Sequence, residues 1–93
     1  MDYYRNRVAL VTGSASGIGR ALARALSRRG ATVVCADIDV RGVKQTVSSV
    51  KRDGGSAEAV RLDVTRERDV NRVVEGVHAR HGRLDLMFNN AGV

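Results

Sequence analysis

The sequence predicts an α/β fold in which strands and helices alternate and the strands run parallel. Three observations carry that expectation. Short apolar runs, Val8 to Val11 first among them, alternate with longer segments whose apolar residues recur at helical spacing. The connections between them are short, and strands joined through helices cross over right-handed, which builds a parallel sheet with helices on its faces. The first run also leads straight into the glycine-rich turn Thr12-Gly13-Ser14-Ala15-Ser16-Gly17-Ile18-Gly19, and a helix leaves that turn.

Arg7 to Thr12 reads as the first strand, because Val8, Ala9, Leu10 and Val11 are apolar on both faces, as in a buried parallel strand. Ile18 to Arg29 reads as the first helix. Ile18, Ala21, Leu22, Ala25 and Leu26 form its predicted core face, and Gly30 stands where a left-handed C-terminal cap belongs. Arg20, Arg24 and Arg28 align on the opposite face and read as solvated. Thr32 to Ala36 is the second strand, ending at Asp37 and Asp39. Asp39 can cap a second helix reaching about Lys51 with Val40, Val43, Val47 and Val50 inward, although Gly42 and several β-branched residues weaken it. Gly54 and Gly55 mark a turn. Ala57 to Leu62 is the third strand, closed by Asp63. Thr65 can cap a third helix with Val70, Val73, Val74 and Val77 toward the core, Gly82 stops it, and Leu84 to Phe88 is the fourth strand. The order is β-α-β-α-β-α-β.

The turn has the chemistry of a phosphate site. Gly13 permits the tight bend, Gly17 removes a side chain where a pyrophosphate must approach backbone, and Gly19 lets the helix pack close to the strand. The open N–H groups and positive dipole of the helix N-terminus favour an anion there, and Ser14 and Ser16 offer hydroxyl donors. Asp37, about 18 residues beyond Gly19, ends the second strand where its carboxylate could accept hydrogen bonds from the ribose of a dinucleotide.

Composition bounds the rest. The 93 residues make one small domain, 43% hydrophobic and 28% charged, without proline and without an apolar run of membrane-spanning length. The N-terminus carries no signal-peptide core, and the single Cys35 has no internal partner, so a cytoplasmic setting and no membrane association are expected. A net charge of +6 invites comparison with nucleic-acid binders, but the basic residues are spread along the chain and no nucleic-acid partner is expected. Cys35 reads as a small buried hydrophobe. His78 and His81 share a helix end with no third ligand near in sequence, so they read as solvent-exposed and no metal site is expected.

Taken together, the TGxxxGxG turn, Asp37, the pair Asp63-Val64 and the run Asn89-Asn90-Ala91-Gly92 resemble the N-terminal, cofactor-binding part of a short-chain dehydrogenase/reductase along essentially the whole chain. That resemblance implies a Rossmann-type sheet of strand order 3-2-1-4, truncated relative to the family, over residues 1–93. It implies cofactor contacts from Gly13, Ser14, Ser16, Gly17, Ile18 and Gly19 in the turn, and from Asp37 at the ribose. Asp63 would meet the adenine amino group, with the Val64 backbone beside it. Asn89 would tie neighbouring strands, while Asn90, Ala91 and Gly92 would run along the adenosine side. NAD is expected over NADP, because Asp37 opposes a 2′-phosphate and no basic residue stands at Ser16 or Ile38; Arg41 is close enough in sequence to reach the same pocket.

The family's catalytic Tyr, Lys and Ser lie beyond the last residue here. Neither Tyr3 nor Tyr4 substitutes, since Arg7 and Val8 stand four residues on; both read as packing or disordered residues. The expected catalytic set within these residues is therefore empty, and a small-molecule substrate belongs to a longer form. Two functions stay open: the nucleotide-binding part of an oxidoreductase that moves hydride between a nicotinamide and an alcohol or carbonyl, or a stand-alone dinucleotide-binding or interaction module. The exposed edge of the fourth strand, with Leu84, Leu86, Met87 and Phe88, predicts a homo-oligomer or self-association.

Overall fold

Every residue of strand β1 (Val8–Thr12) is buried, and its neighbours explain why. In a computed structural model describing residues 3–90, β1 lies inside a parallel four-stranded sheet of order β3-β2-β1-β4. The elements follow as α1 (Gly17–Arg28), β2 (Thr32–Asp37), α2 (Val40–Arg52), β3 (Ser56–Arg61), α3 (Glu67–His81) and β4 (Leu86–Asn89). The expected class and strand order are both present.

Alternation along each strand divides the core in two. Ala9, Val11, Val33 and Cys35 face α1 and α2, together with Ala23, Leu26, Val43 and Val47. Val8, Leu10, Val34 and Ala36 face the other way onto Val73 and Val77 of α3 and onto Leu62. Val70 and Val74 pack half-buried against that second cluster, as their spacing predicts, but Val40 of α2 is exposed. Both α1 and α2 end in left-handed glycine caps. The Gly30 N–H donates to the Ser27 carbonyl and the Ala31 N–H to the Leu26 carbonyl, and Gly54 and Gly55 repeat the pattern onto Lys51 and Val50.

The buried face of α1 departs from the sequence expectation. Gly19, Ala23 and Leu26 are buried, Leu22 is half-buried, Ala21 and Ala25 are exposed, and Ile18 is 78% exposed. Small residues carry this contact because α1 sits hard against the turn: a Cβ on Gly19 would lie 1.9 Å from the Gly13 carbonyl oxygen. Leu22 and Leu26 of the expected stripe keep their place, but at the start of the helix the close approach puts Gly19 and Ala23 inward and Ile18 outward.

The arginine row is reassigned in part. It runs along the flank of α1 that meets α2, where half-buried Arg20 bonds Thr46 and Arg24 and Arg28 pair with Asp53 at 3.3 and 3.6 Å, while Arg28 stays exposed as expected. Two helices on one sheet face lie side by side, so their polar flanks meet, and long arginine stems can line such a seam while their heads find acceptors. Gly42, which weakened α2 as a sequence prediction, belongs to this seam. A Cβ there would come within 2.7 Å of the Ala15 Cβ.

Strand β4 begins two residues later than its apolar run. The Asp85 N–H donates to the Val8 carbonyl at 2.9 Å, and the Asp85 carboxylate accepts from the Val8 N–H at 2.8 Å. A side chain thus replaces one rung of the ladder, and regular pairing starts at Ala9 with Leu86. Leu86 and Phe88 pack half-buried against one cluster and Leu84 against the other, leaving Met87 outward. Among the described residues β4 is an edge strand. Tyr3 and Tyr4 pack instead of hanging free: their rings meet edge to face, and Arg7 stacks over Tyr3 at 4.3 Å.

Candidate functional site

The C-terminal ends of β1, β2 and β3 open on one side of the sheet, where an open-sheet α/β fold binds its ligands. A cleft of about 490 Å³ lies there, lined by Gly13, Ser16, Asp37, Ile38, Leu62, Asp63, Val64, Thr65 and Asn90. Residues far apart in sequence meet in it: the turn after β1, the acid ending β2, the Asp63-Val64 pair after β3 and the first residue past β4.

The turn is shaped for an anion. Gly13 and Gly17 both take positive φ, 68° and 56°, and a Cβ on Gly17 would meet nothing within 4 Å, so backbone lies open to an incoming group. Ser16 is the N-cap of α1 in an extended conformation. It makes no side-chain cap hydrogen bond, and the first turn of the helix holds no acid. The leading N–H groups, which have no acceptor within the helix, thus keep their positive field. Of the two serines, Ser14 is fully buried and its hydroxyl donates to the Ala36 carbonyl at 3.3 Å; Ser16 is the exposed one. Ile18 stands exposed on the same first turn.

Asp37 is fixed by backbone. One carboxylate oxygen accepts from the Ala15 N–H at 3.1 Å and the other from the Asp39 N–H at 3.0 Å. Asp39 caps α2 by accepting from the Gly42 N–H, as expected, which leaves Asp37 to the turn and the cleft. Arg41 sits on the outer side of α2 with Lys44, Gln45 and Arg52, in a depression separate from this cleft.

Asp63 has its own network. Its Oδ1 accepts from the Thr65 hydroxyl at 2.6 Å and the Thr65 N–H at 3.0 Å, while Arg66 approaches Oδ2 at 3.5 Å. The Thr65 hydrogen bonds, with Arg66 and Arg61 nearby, hold the Asp63 carboxyl below the usual range. Thr65 therefore does not cap α3. The helix begins at Glu67 after Arg66, and Asp69 reaches back to accept from the Asp63 N–H at 2.7 Å.

The fourth corner is a hydroxyl hub. Thr12 donates to Asn89 Oδ1 at 3.0 Å and accepts from the Asn90 N–H at 3.0 Å, and Asn90 Nδ2 donates to the Gly13 carbonyl at 3.4 Å. Asn89 thereby ties β4 to β1. Ala91 and Gly92, expected beside the cofactor, lie outside the described residues. Ile38, Leu62 and Thr65 also line the cleft but were not expected as cofactor contacts: the sequence offered Leu62 as a strand end, Thr65 as a helix cap and Ile38 only as a position without a basic residue.

Other candidates lie elsewhere. Burial pushes the Cys35 thiol up to about 11, against a lowering hydrogen bond with Ser14, which keeps it protonated. His81 is not solvent-exposed as expected: its Nε2 lies 2.8 Å from Glu58 on β3. Among the described residues no group of three His, Cys, Asp or Glu side chains could hold a metal ion, and no helix is long and apolar enough to cross a membrane.

A parallel sheet of this order, with a glycine turn opening an uncapped helix and an acid ending the next strand, defines a dinucleotide-fold α/β protein. The profile of the short chain dehydrogenases matches residues 7–93, and the chain belongs to that family. It is 38% identical over its full length to an uncharacterized oxidoreductase, YxbG, of Bacillus subtilis (strain 168), covering 34% of that protein. The solved structure of a short chain dehydrogenase/reductase from Burkholderia phymatum in complex with NAD superposes with a TM-score of 0.93 at 34% identity, over 100% of this chain and 33% of that one. A metagenomic short-chain oxidoreductase in complex with NADP gives 0.92 at 38% identity, over 97% and 41%. The chain thus spans about a third of the length of the curated relative it matches.

Proposed function

We propose that this chain is the nucleotide-binding part of a short-chain oxidoreductase that moves hydride between a nicotinamide dinucleotide and an alcohol or carbonyl. The observation that carries the reading is the uncapped, acid-free N-terminus of α1 behind Gly13 and Gly17, directly beside Asp37. The diphosphate would lie against Ser16, Gly17 and Ile18, with Gly19 keeping α1 close to the turn. The adenosine ribose would bond Asp37. The adenine ring would enter between Ile38, Leu62 and Val64, with its amino group toward Asp63 Oδ2, since Oδ1 is taken by Thr65. Asn90, and beyond it Ala91 and Gly92, would follow the adenosine side. When bound, the nicotinamide would supply or accept the hydride; the residues here would hold the diphosphate and adenosine end of the cofactor.

NAD is the preferred cofactor in this reading. A 2′-phosphate would meet the Asp37 carboxylate, which two backbone N–H groups hold in place, and a tenfold weaker complex needs only about 1.4 kcal/mol. Calorimetric titration with both nucleotides tests it, and tighter binding of NADP overturns it. These 93 residues alone should turn over no alcohol or ketone above background by nicotinamide absorbance, because neither tyrosine is followed four residues on by a lysine. The lone buried cysteine suits a reducing, cytoplasmic setting. Association through the β4 edge belongs to the same reading; sedimentation as a monomer at all concentrations would remove it.

A further inference from the structure

Arg20 stands in the row that also holds Arg24 and Arg28, but it bonds differently from both. Arg24 and Arg28 reach the Asp53 carboxylate at the far end of α2. Arg20 takes no carboxylate among the described residues. Its half-buried guanidinium donates to the Ala15 carbonyl, to the Gly42 carbonyl at 3.2 Å, and through Nε to the Thr46 hydroxyl at 2.8 Å, with Gln45 Oε1 at 3.4 Å. Thr46 is fully buried and donates to the Ser14 carbonyl at 2.6 Å, with the Gly42 carbonyl also within reach at 3.2 Å. Two consecutive carbonyls of the glycine turn are thus held at the α1–α2 seam, Ser14 by Thr46 of α2 and Ala15 by Arg20 of α1.

A trans peptide is planar, and its N–H points opposite to its C=O. Holding the Ser14 carbonyl on Thr46 therefore sends the Ala15 N–H the other way, where it meets Asp37 at 3.1 Å. Holding the Ala15 carbonyl on Arg20 does the same for the Ser16 N–H, in the residue that lines the cleft. We propose that Arg20, braced by Thr46, is a positioning residue for the dinucleotide: it sets the Ala15-Ser16 peptide so that the Ser16 N–H faces the diphosphate, while Asp37 is held separately by the Ala15 and Asp39 N–H groups. This rests on the dinucleotide reading above. A preorganised turn spends less of its binding energy on ordering backbone when the anion arrives.

The test compares Arg20→Met, Arg20→Lys, Thr46→Val and the control Arg24→Met, each titrated with NAD, ADP and adenosine well below its own unfolding midpoint. Arg20→Met should weaken NAD and ADP at least tenfold and adenosine less than twofold, because adenosine carries no phosphate. Arg20→Lys should recover part of the loss, and Thr46→Val should weaken the same two ligands. Arg24→Met should lower the unfolding midpoint yet leave all three affinities unchanged. A merely structural Arg20 would behave like Arg24. Diphosphate affinity within twofold of the parent, or equal losses for ADP and adenosine, overturns the inference. If the parent binds neither NAD nor ADP, the dinucleotide reading fails on its own. The turn geometry is then judged from amide NMR shifts of Ala15, Ser16 and Gly17 in the free chain. These should move in Arg20→Met and not in Arg24→Met, and their constancy in both sinks the positioning role.

Discussion

Helices α1 and α3 leave the same end of the same sheet, each just after a strand, yet their N-termini are built for opposite purposes. Neither N-cap residue, Ser16 or Arg66, makes a side-chain cap bond, but α1 carries no acid in its first turn and opens onto glycines. Helix α3 carries Glu67 and Asp69 in its first turn, and Asp69 bonds both the Asp63 N–H and Arg72. Both N-termini expose a positive dipole end. In α3 carboxylates of its own first turn answer it; α1 has none in its first turn, and Asp37 takes the Ala15 N–H just ahead of the helix. A first turn without its own acid leaves its positive field open beside the cleft, whereas in α3 that field meets the chain's own carboxylates.

The strongest way to break this comparison is to place the same small change in both helices. Gly19→Ala puts a methyl 1.9 Å from the Gly13 carbonyl, a rigid backbone atom, so α1 or the turn must move. We expect a loss of about 2–4 kcal/mol in denaturant melts and no measurable nucleotide binding. Gly76→Ala in α3 meets only the far end of the flexible Arg80 side chain, at 2.9 Å. That substitution should be neutral or stabilise by up to about 1 kcal/mol, through helix propensity. Equal losses for the two would erase the distinction.

Charge sharpens the same contrast. Ile18→Glu supplies α1 with the first-turn carboxylate it lacks, and Ile18 is exposed enough to accept the change. The free chain should gain about 0.3–1 kcal/mol while calorimetry shows NAD affinity falling at least tenfold, since the new charge occupies the anion's field. Asp69→Asn takes a carboxylate away from α3, so thermal melts should shift downward with NAD affinity unchanged. Nucleotide binding that survives Ile18→Glu intact would move the diphosphate away from α1.

Acid gives the smallest and most graded effect. Hydrogen bonds from Thr65, with Arg66 and Arg61 nearby, hold Asp63 below its ordinary value of 3.8. The Asp63 N–H and then Arg72 do the same for Asp69, and Arg83 and then the Val8 N–H for Asp85. Glu58 is raised by burial but lowered on balance by Arg80 and His81 from its ordinary 4.5. Carboxyls lowered in the folded state bind fewer protons than in the unfolded chain. Their stabilisation is therefore whole above those ordinary values and fades as pH falls through them to the lowered ones. Urea midpoints measured downward from pH 6 should hold until about pH 5 and then drop. In Asp69→Asn the drop should be shallower, and an unchanged slope would show that Asp69 does not contribute.

Sequence alone determined the alternation of β and α, the parallel order once the resemblance was drawn, and six of the residues that meet at the cleft: Gly13, Ser16, Asp37, Asp63, Val64 and Asn90. These are local signals: strand periodicity, glycines that bend the turn, and acids where strands end. Asp39 as the α2 cap and Gly82 as the α3 stop were legible for the same reason, because a cap acts within a few residues of itself. Only the tertiary structure decided that Gly19 and Ala23, and not Ile18, face inward at the start of α1, since the contact with Gly13 leaves no room for bulk. It also drew Arg20 and Arg24 from solvent into the seam with α2, gave Thr65 to Asp63 and the Asp63 N–H to Asp69, and let the Asp85 carboxylate stand in for a rung of β4. Each of these depends on a partner brought close by folding. A polar side chain at a seam bonds whatever acceptor or donor the packing presents, and its own position in the sequence does not name that partner.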